Sequence, residues 1–260
     1  METPQPTPSP TAPARSGPAV TGTTRQVVIA LDRAIFVFSK HWLLAFNVFF
    51  TLYVGLPFLA PVCMWAGWEA AARVIYTLYS PLCNQFAPHA WFLFGARSFY
   101  PAAVFQAYTG IDSNTAAGLA AARAFVGNAA LGYKVAICER DVAIYAMMLL
   151  GGLLFSLPPV RRHAGPLRWW AWLLIGIVPI GVDGFWQMFT TYPFTTLFHF
   201  LSWLPYHEST PLDRTLTGGL FGLANMWLAY PYFETSMREV QVEVKVKLAR
   251  VGAAKLKPVA

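Results

Sequence analysis

The chain has 260 residues, of which 56% are hydrophobic and 12% charged, and its formal net charge is +7. A soluble domain of this length carries about twice that share of charge, so the apolar excess points to lipid. No nucleic-acid recognition motif accompanies the basic surplus, and the three cysteines make neither a CxxC pair nor a disulfide-dense scaffold.

Residues 1–22 are rich in Pro, Thr and Ser, lack a signal-peptide core, and read as a disordered tail. The first hydrophobic segment is therefore expected to be an uncleaved anchor. Over 23–40, Val27, Val28, Leu31, Ile35 and Phe38 recur at helical spacing between Arg25, Arg33 and Lys40, which predicts an amphipathic juxtamembrane helix. A membrane domain is expected over 41–233. Its first span falls at 43–64, inside a stretch without Asp, Glu, Lys or Arg, with Pro57 and Pro61 predicting a bend.

Between 69 and 137 the pattern is mixed. Gly95, Arg97 and Pro101 interrupt the apolar run 91–108, which reads as short interfacial helices, and the Ala-rich 113–131 as an amphipathic surface helix. A second span is expected at 142–157, entered through Cys138-Glu139-Arg140-Asp141 and closed by Pro158-Pro159, and a third at 169–188 carrying Asp183. Residues 189–207 hold Pro193, His199 and Pro205 and read as an interfacial loop. The fourth span, 216–233, is announced by Thr210 as N-cap, Pro211 at the first helical position and Asp213 at the third. Gly218, Gly219 and Gly222 within it read as close helix packing. The basic tail 234–260 alternates Val240, Val242, Val244 and Val246 in a strand-like way. Pairing with a neighbour's sheet, a basic helix and attraction to anionic lipid all remain open for it.

The fold class expected is an all-α integral membrane protein with four transmembrane helices and interfacial or amphipathic helices on the outer side. With both termini in the cytoplasm, thirteen Lys and Arg fall inside and six outside, as the positive-inside rule requires. That topology gathers a polar set on the outer side: Cys83, Gln85, Arg97, Cys138, Arg140, Asp141, Tyr145, Asp183, Gln187, Glu208 and Arg214. Cys138, Asp141 and Tyr145 share one helix face, as do Asp183 and Gln187. An acid near hydrocarbon needs a partner, and Arg140 or Arg214 is expected to supply one for Asp183.

Cys83-Asn84-Gln85, Phe94-Gly95-Ala96-Arg97-Ser98, Cys138-x-Arg140-Asp141, Val182-Asp183-Gly184-x-x-Gln187 and Glu208-Ser209-Thr210 with Arg214 follow one another in order. This series, over roughly 76–230, resembles the bacterial predicted membrane proteins grouped as domain of unknown function 2085. The family usually has His where this chain has Asn84, and often a second cysteine where it has Asp141. The resemblance implies a multi-pass protein of a bacterial cytoplasmic membrane and brings no activity with it.

Placed outside together, Cys83 and Cys138 suggest a disulfide, with free thiols, a redox pair or a metal-bound pair as alternatives. His89, His199 and His207 are the histidines within reach of a zinc site, but no ligand spacing supports a metal, and no cofactor is indicated. Two functions compete. One is a non-enzymatic membrane subunit or scaffold, alone in the bilayer or beside other membrane subunits. The other is a membrane enzyme or binding protein acting on a lipid, quinone or small anionic solute, with Asp141 or Asp183 as acid/base. The sequence holds no Ser-His-Asp order, HExxH, P-loop or dinucleotide fingerprint.

Overall fold

The computed structural model of the chain describes residues 22–201 and 203–252, with the backbone alone at His199. The expected disordered tail lies outside the described residues except for Gly22. Helices cover most of the apolar segments expected at 43–64, 142–157, 169–188 and 216–233, and form also at 69–79, 158–163 and 194–197, where none was expected. They are α1 (Gly22–Trp65), α2 (Glu69–Tyr79), α3 (Ala102–Thr109), α4 (Ala116–Ala124), α5 (Glu139–Phe155), α6 (Pro158–His163), α7 (Trp169–Trp172), α8 (Val178–Thr190), α9 (Phe194–Leu197) and α10 (Pro211–Arg250).

The chain divides into two units. Residues 22–40 and 239–252 belong to one, and 41–238 form the other. In the smaller unit, Phe36, Val244 and Leu248 are buried against one another with Ile29 and Val240 beside them. The tail is therefore helical as far as Arg250, and its strand-like alternation is corrected. Val240, Val244 and Leu248 stand at i, i+4 and i+8 and share the packed face. Val242 and Val246 point outward, and Glu243 pairs with Lys247 one turn on. Gln241 Nε2 donates to the Ser39 carbonyl at 2.8 Å.

In the larger unit, α7 and α8 join through a π turn at Leu173–Ile177. Pro179 lacks an N–H and crowds the carbonyl four residues back, and the wider turn accommodates it. The start of α10 is a capping box. The Asp213 carboxylate accepts from Thr210 N at 3.0 Å, and Thr210 Oγ1 accepts from Asp213 N at 3.2 Å. Glycines let α10 press on α5: a Cβ at Gly222 would lie 2.2 Å from the Ile144 carbonyl oxygen, and one at Gly218 would lie 2.8 Å from that of Arg140. Trp42, Leu43, Phe155, Met226 and Tyr230 fill the space among α1, α5 and α10.

Two expectations are revised here. An all-α fold is not complete, because β1 (Phe92–Leu93), β2 (Gly127–Asn128) and β3 (Gly132–Lys134) form an antiparallel sheet of order β1-β3-β2. Phe92 pairs with Lys134 and Gly127 with Tyr133. The surface helix expected over 113–131 accordingly stops at Ala124, and 91–108 forms a helix only over Ala102–Thr109. Four spans are also more than length and hydropathy support. Two helices are long and apolar enough to cross a membrane, Gly22–Trp65 and Trp169–Thr190. Helix α5 has 17 residues and opens on Glu139, Arg140 and Asp141, while Thr, Gly, Asn, Tyr and Pro dilute the first half of α10.

Candidate functional site

Three helices bring their polar ends together. Asp183 on α8 accepts hydrogen bonds from the Arg140 guanidinium on α5, from Ser209 Oγ at 2.6 Å and from His207 Nε2 at 3.0 Å. Facing a carboxylate, the His207 Nε2 carries the proton. Thr217 Oγ1 closes the remaining side at 3.5 Å, its own proton given to the Asp213 carbonyl at 2.7 Å. The expectation that an arginine pairs with Asp183 is met by Arg140.

Beyond Ser209 the network runs on to Gln187 and His89. Ser209 Oγ lies 2.9 Å from Gln187 Oε1, and Gln187 Nε2 lies 3.0 Å from His89 Nε2. Ser209 has a single proton and uses it on Asp183, which is ionised against Arg140. Turning the Gln187 amide end for end satisfies every contact: its NH2 donates to Ser209 Oγ and its oxygen accepts from His89 Nε2–H. Burial holds His89 well below the usual imidazole range, with Arg214 and Arg140 adding to the effect, so the ring is neutral and has that proton to give.

Arg214 takes a different partner. Its Nη1 donates to Glu139 Oε2 at 3.0 Å, with side-chain exposures of 4% and 0%, which makes this the driest ion pair among the described residues. Glu139 Oε1 and Arg214 Nε and Nη2 are buried without hydrogen-bond partners. Further along α10, near its middle, Glu234 accepts from Arg161, Arg238 and Trp42.

Other residues of the expected cluster lie elsewhere. Arg97 is exposed in the loop after β1 and makes no ion pair among the described residues, so it leaves the cluster. Glu208 faces α3, accepting from Ala102 N at 3.3 Å and from the Tyr206 hydroxyl at 3.1 Å. Gln85 binds the Tyr76 carbonyl at 2.7 Å, and the Tyr145 ring lies 4.3 Å from that of Tyr53. Cys83 and Cys138 are free thiols, and the expected disulfide is corrected. Fold proximity was read rightly, however, since their sulfurs and an Asp141 oxygen lie within 4.8 Å of one another. Sequence spacing had offered no such ligand set.

From the sequence, Ser209 stood only in a motif, and neither Thr217, the pairing of Glu139 with Arg214 nor Lys134 was given a role in the cluster. The Lys134 side chain is fully buried, and its ammonium donates to the Gln85 and Arg123 carbonyls at 2.7 and 2.6 Å. Burial pushes its pKa down to about 7. Two cavities adjoin these groups. One of about 300 Å³ is bordered by His89, Gln187, Glu208, Asn84, Asn114 and Tyr206. The other, about 440 Å³, is an apolar groove between α5 and α10 with Glu139 on its border.

Residues 122–228 match the family model described as a predicted membrane protein (DUF2085). The resemblance read from the sequence holds over that stretch. The DUF2085 match takes in Arg140, Asp183, Gln187, Ser209 and Arg214, and begins downstream of Cys83, Gln85 and Arg97. An uncharacterised protein of Methanocaldococcus jannaschii is 23% identical over 156 residues, covering 58% of this chain and 74% of its own length. That relative is archaeal, so the likeness is not confined to bacteria. No solved structure matches the chain.

Proposed function

We propose that this protein is a non-enzymatic membrane subunit or scaffold of the bacterial cytoplasmic membrane. In this reading it has four spans and both termini in the cytoplasm. Two further spans, α5 and the first half of α10, lie beside α1 and the α7–α8 helix and complete the bundle. Only 28% and 22% of the apolar windows of the two long helices are buried within the chain, unlike core helices of a soluble protein, and lipid is the solvent that such faces suit. The observation that carries the scaffold reading is how the ionised groups are used. Arg140–Asp183 joins α5 to α8, Arg214–Glu139 joins α10 to α5, and Arg161–Glu234 joins α6 to α10. Both Asp183 oxygens already accept hydrogen bonds, Oδ1 from Ser209 and His207 and Oδ2 from Arg140, which favours locking over acid/base work.

A second reading rests on a different observation. The apolar groove is bordered by Glu139, whose buried Oε1 has no hydrogen-bond partner. A lipid, or a quinone in its reduced form, whose chain lies between α5 and α10 would bring a hydroxyl, as donor, towards that carboxylate. A small anion is disfavoured in the other cavity, whose border holds Glu208 and neither lysine nor arginine.

Asp183→Asn tests the lock, and Ala146→Phe, which fills the groove, tests the binding reading. As a lock, loss of the Asp183 charge lowers the yield of folded, monodisperse protein in detergent, and the charge-exchanged pair Asp183→Arg with Arg140→Asp recovers part of that loss. An Asp183→Asn variant that folds like the wild type, together with an Ala146→Phe variant whose native mass spectra are depleted of a co-purified lipid or quinone, would replace the scaffold reading with the binding one.

A further inference from the structure

We infer that Cys83, Cys138 and Asp141 form a binding site for a divalent transition metal of the zinc class. The two thiol sulfurs and a carboxylate oxygen lie within 4.8 Å of one another, supplied by the loop after α2 and by the first turn of α5. Tetrahedral coordination at ordinary zinc–sulfur and zinc–oxygen lengths needs such atoms about 3.3–3.8 Å apart. Small rotamer changes at three side chains cover that difference. Mixed sulfur and oxygen donors suit Zn²⁺ and its spectroscopic substitute Co²⁺, and are too soft a set for Mg²⁺ or Ca²⁺.

Three features show that the place is built for a cation. Asp141 is half-buried, yet no ammonium, guanidinium or amide N–H among the described residues takes its carboxylate, while its neighbours Glu139 and Arg140 are both paired across helices. A carboxylate at this depth is costly without a positive partner. The Cys83 sulfur is already addressed by two backbone N–H groups, Cys138 N at 3.2 Å and Gln85 N at 3.5 Å. Backbone donors of this kind hold a ligating sulfur in place and stabilise its thiolate. The second of them requires Gln85 to adopt φ of 50°, a left-handed conformation that a side-chain-bearing residue seldom takes, and the Lys134 ammonium holds the same residue's carbonyl at 2.7 Å. The site also has access. A cavity of about 440 Å³, bordered by Cys83, Asn84, Gln85 and Arg123, lies on the Cys83 side and offers an approach for an ion. Coordination releases the two thiol protons, so uptake is favoured by rising pH.

The test uses the full chain in detergent, reduced, stripped with a chelator and titrated with Co²⁺ and then Zn²⁺. The expected result is a single Co²⁺ per chain with thiolate-to-cobalt charge-transfer absorption, displaced by Zn²⁺. Cys83→Ser and Cys138→Ser should each weaken binding by more than the ~10–100-fold that loss of an outer-shell partner costs. Asp141→Asn should weaken binding and keep the sulfur band, and Cys63→Ser should leave both unchanged. A folded, reduced wild type without the band overturns the inference. So does a band that survives Cys83→Ser or Cys138→Ser, or one abolished by Cys63→Ser. If a cysteine variant fails to fold, the wild-type intensity decides: two thiolates per cobalt support the site, and one or none refutes it.

Discussion

The Glu139–Arg214 pair offers a sharp test of how α5 and α10 are held together. Both side chains are almost wholly removed from solvent, and Glu139 Oε1, Arg214 Nε and Arg214 Nη2 have no hydrogen-bond partner. Removing one member of so dry a pair leaves an unneutralised charge, and the penalty is on the order of 3–5 kcal/mol. Glu139→Leu or Arg214→Met alone should thus shift the folded-to-unfolded ratio by roughly two to four powers of ten. The double variant behaves differently. With both charges gone, the desolvation they suffered is gone too, and well-packed apolar replacements of similar volume are neutral or stabilising by ~1–4 kcal/mol. The two single effects should therefore be non-additive by several kcal/mol. Reversible unfolding in mixed micelles, followed by tryptophan fluorescence, gives all four stabilities. Single variants within about 1 kcal/mol of the wild type, or a double variant whose loss is the sum of the singles, would refute the reasoning.

Lys134 predicts a pH dependence. Below about pH 7 it is protonated in both folded and unfolded chains, and its burial weighs fully against folding. Between about 7 and 10.5 the folded chain has shed a proton that the unfolded chain keeps, so stability rises with pH by up to ~1.4 kcal/mol per unit. Denaturant titrations at pH 7 and pH 9 should show that rise in the wild type and a smaller one in Lys134→Met; equal slopes would place the lysine in water. Gly222→Leu should destabilise the bundle by ~1–3 kcal/mol or more, because its Cβ would overlap the Ile144 carbonyl and force α10 off α5. A melting temperature unchanged from the wild type would mean that the two helices are not in that contact.

Which features the sequence revealed follows from the range of each signal. The start of α10 was legible because Thr210, Pro211 and Asp213 act on adjacent backbone groups. The Arg140–Asp183 pair was legible because both residues stand at the polar ends of apolar runs. Glu139 escaped notice beside Arg140, since a helix turns consecutive residues about 100° apart and sends these two to different partners, α10 and α8. The sheet was hidden for another reason. Its strands have two or three residues each, and Phe92 finds Lys134 across a long stretch of chain that no local period reports. The tail misled because alternate valines satisfy two periods at once, and packing on Phe36 selected the helical one. Arg97 was grouped by its presumed side of the membrane, and side alone does not bring residues into contact.

The claim on which the account rests is that the Asp183 network and the region around Asn114 lie on the outer side of a four-span protein. Reporter fusions placed after Arg162, at the C-terminus, near Asn114 and near Tyr206 measure this directly. The account predicts cytoplasmic signals from the first two and extracytoplasmic signals from the last two. A cytoplasmic signal near Asn114, or opposite signals from Arg162 and the C-terminus, would contradict it.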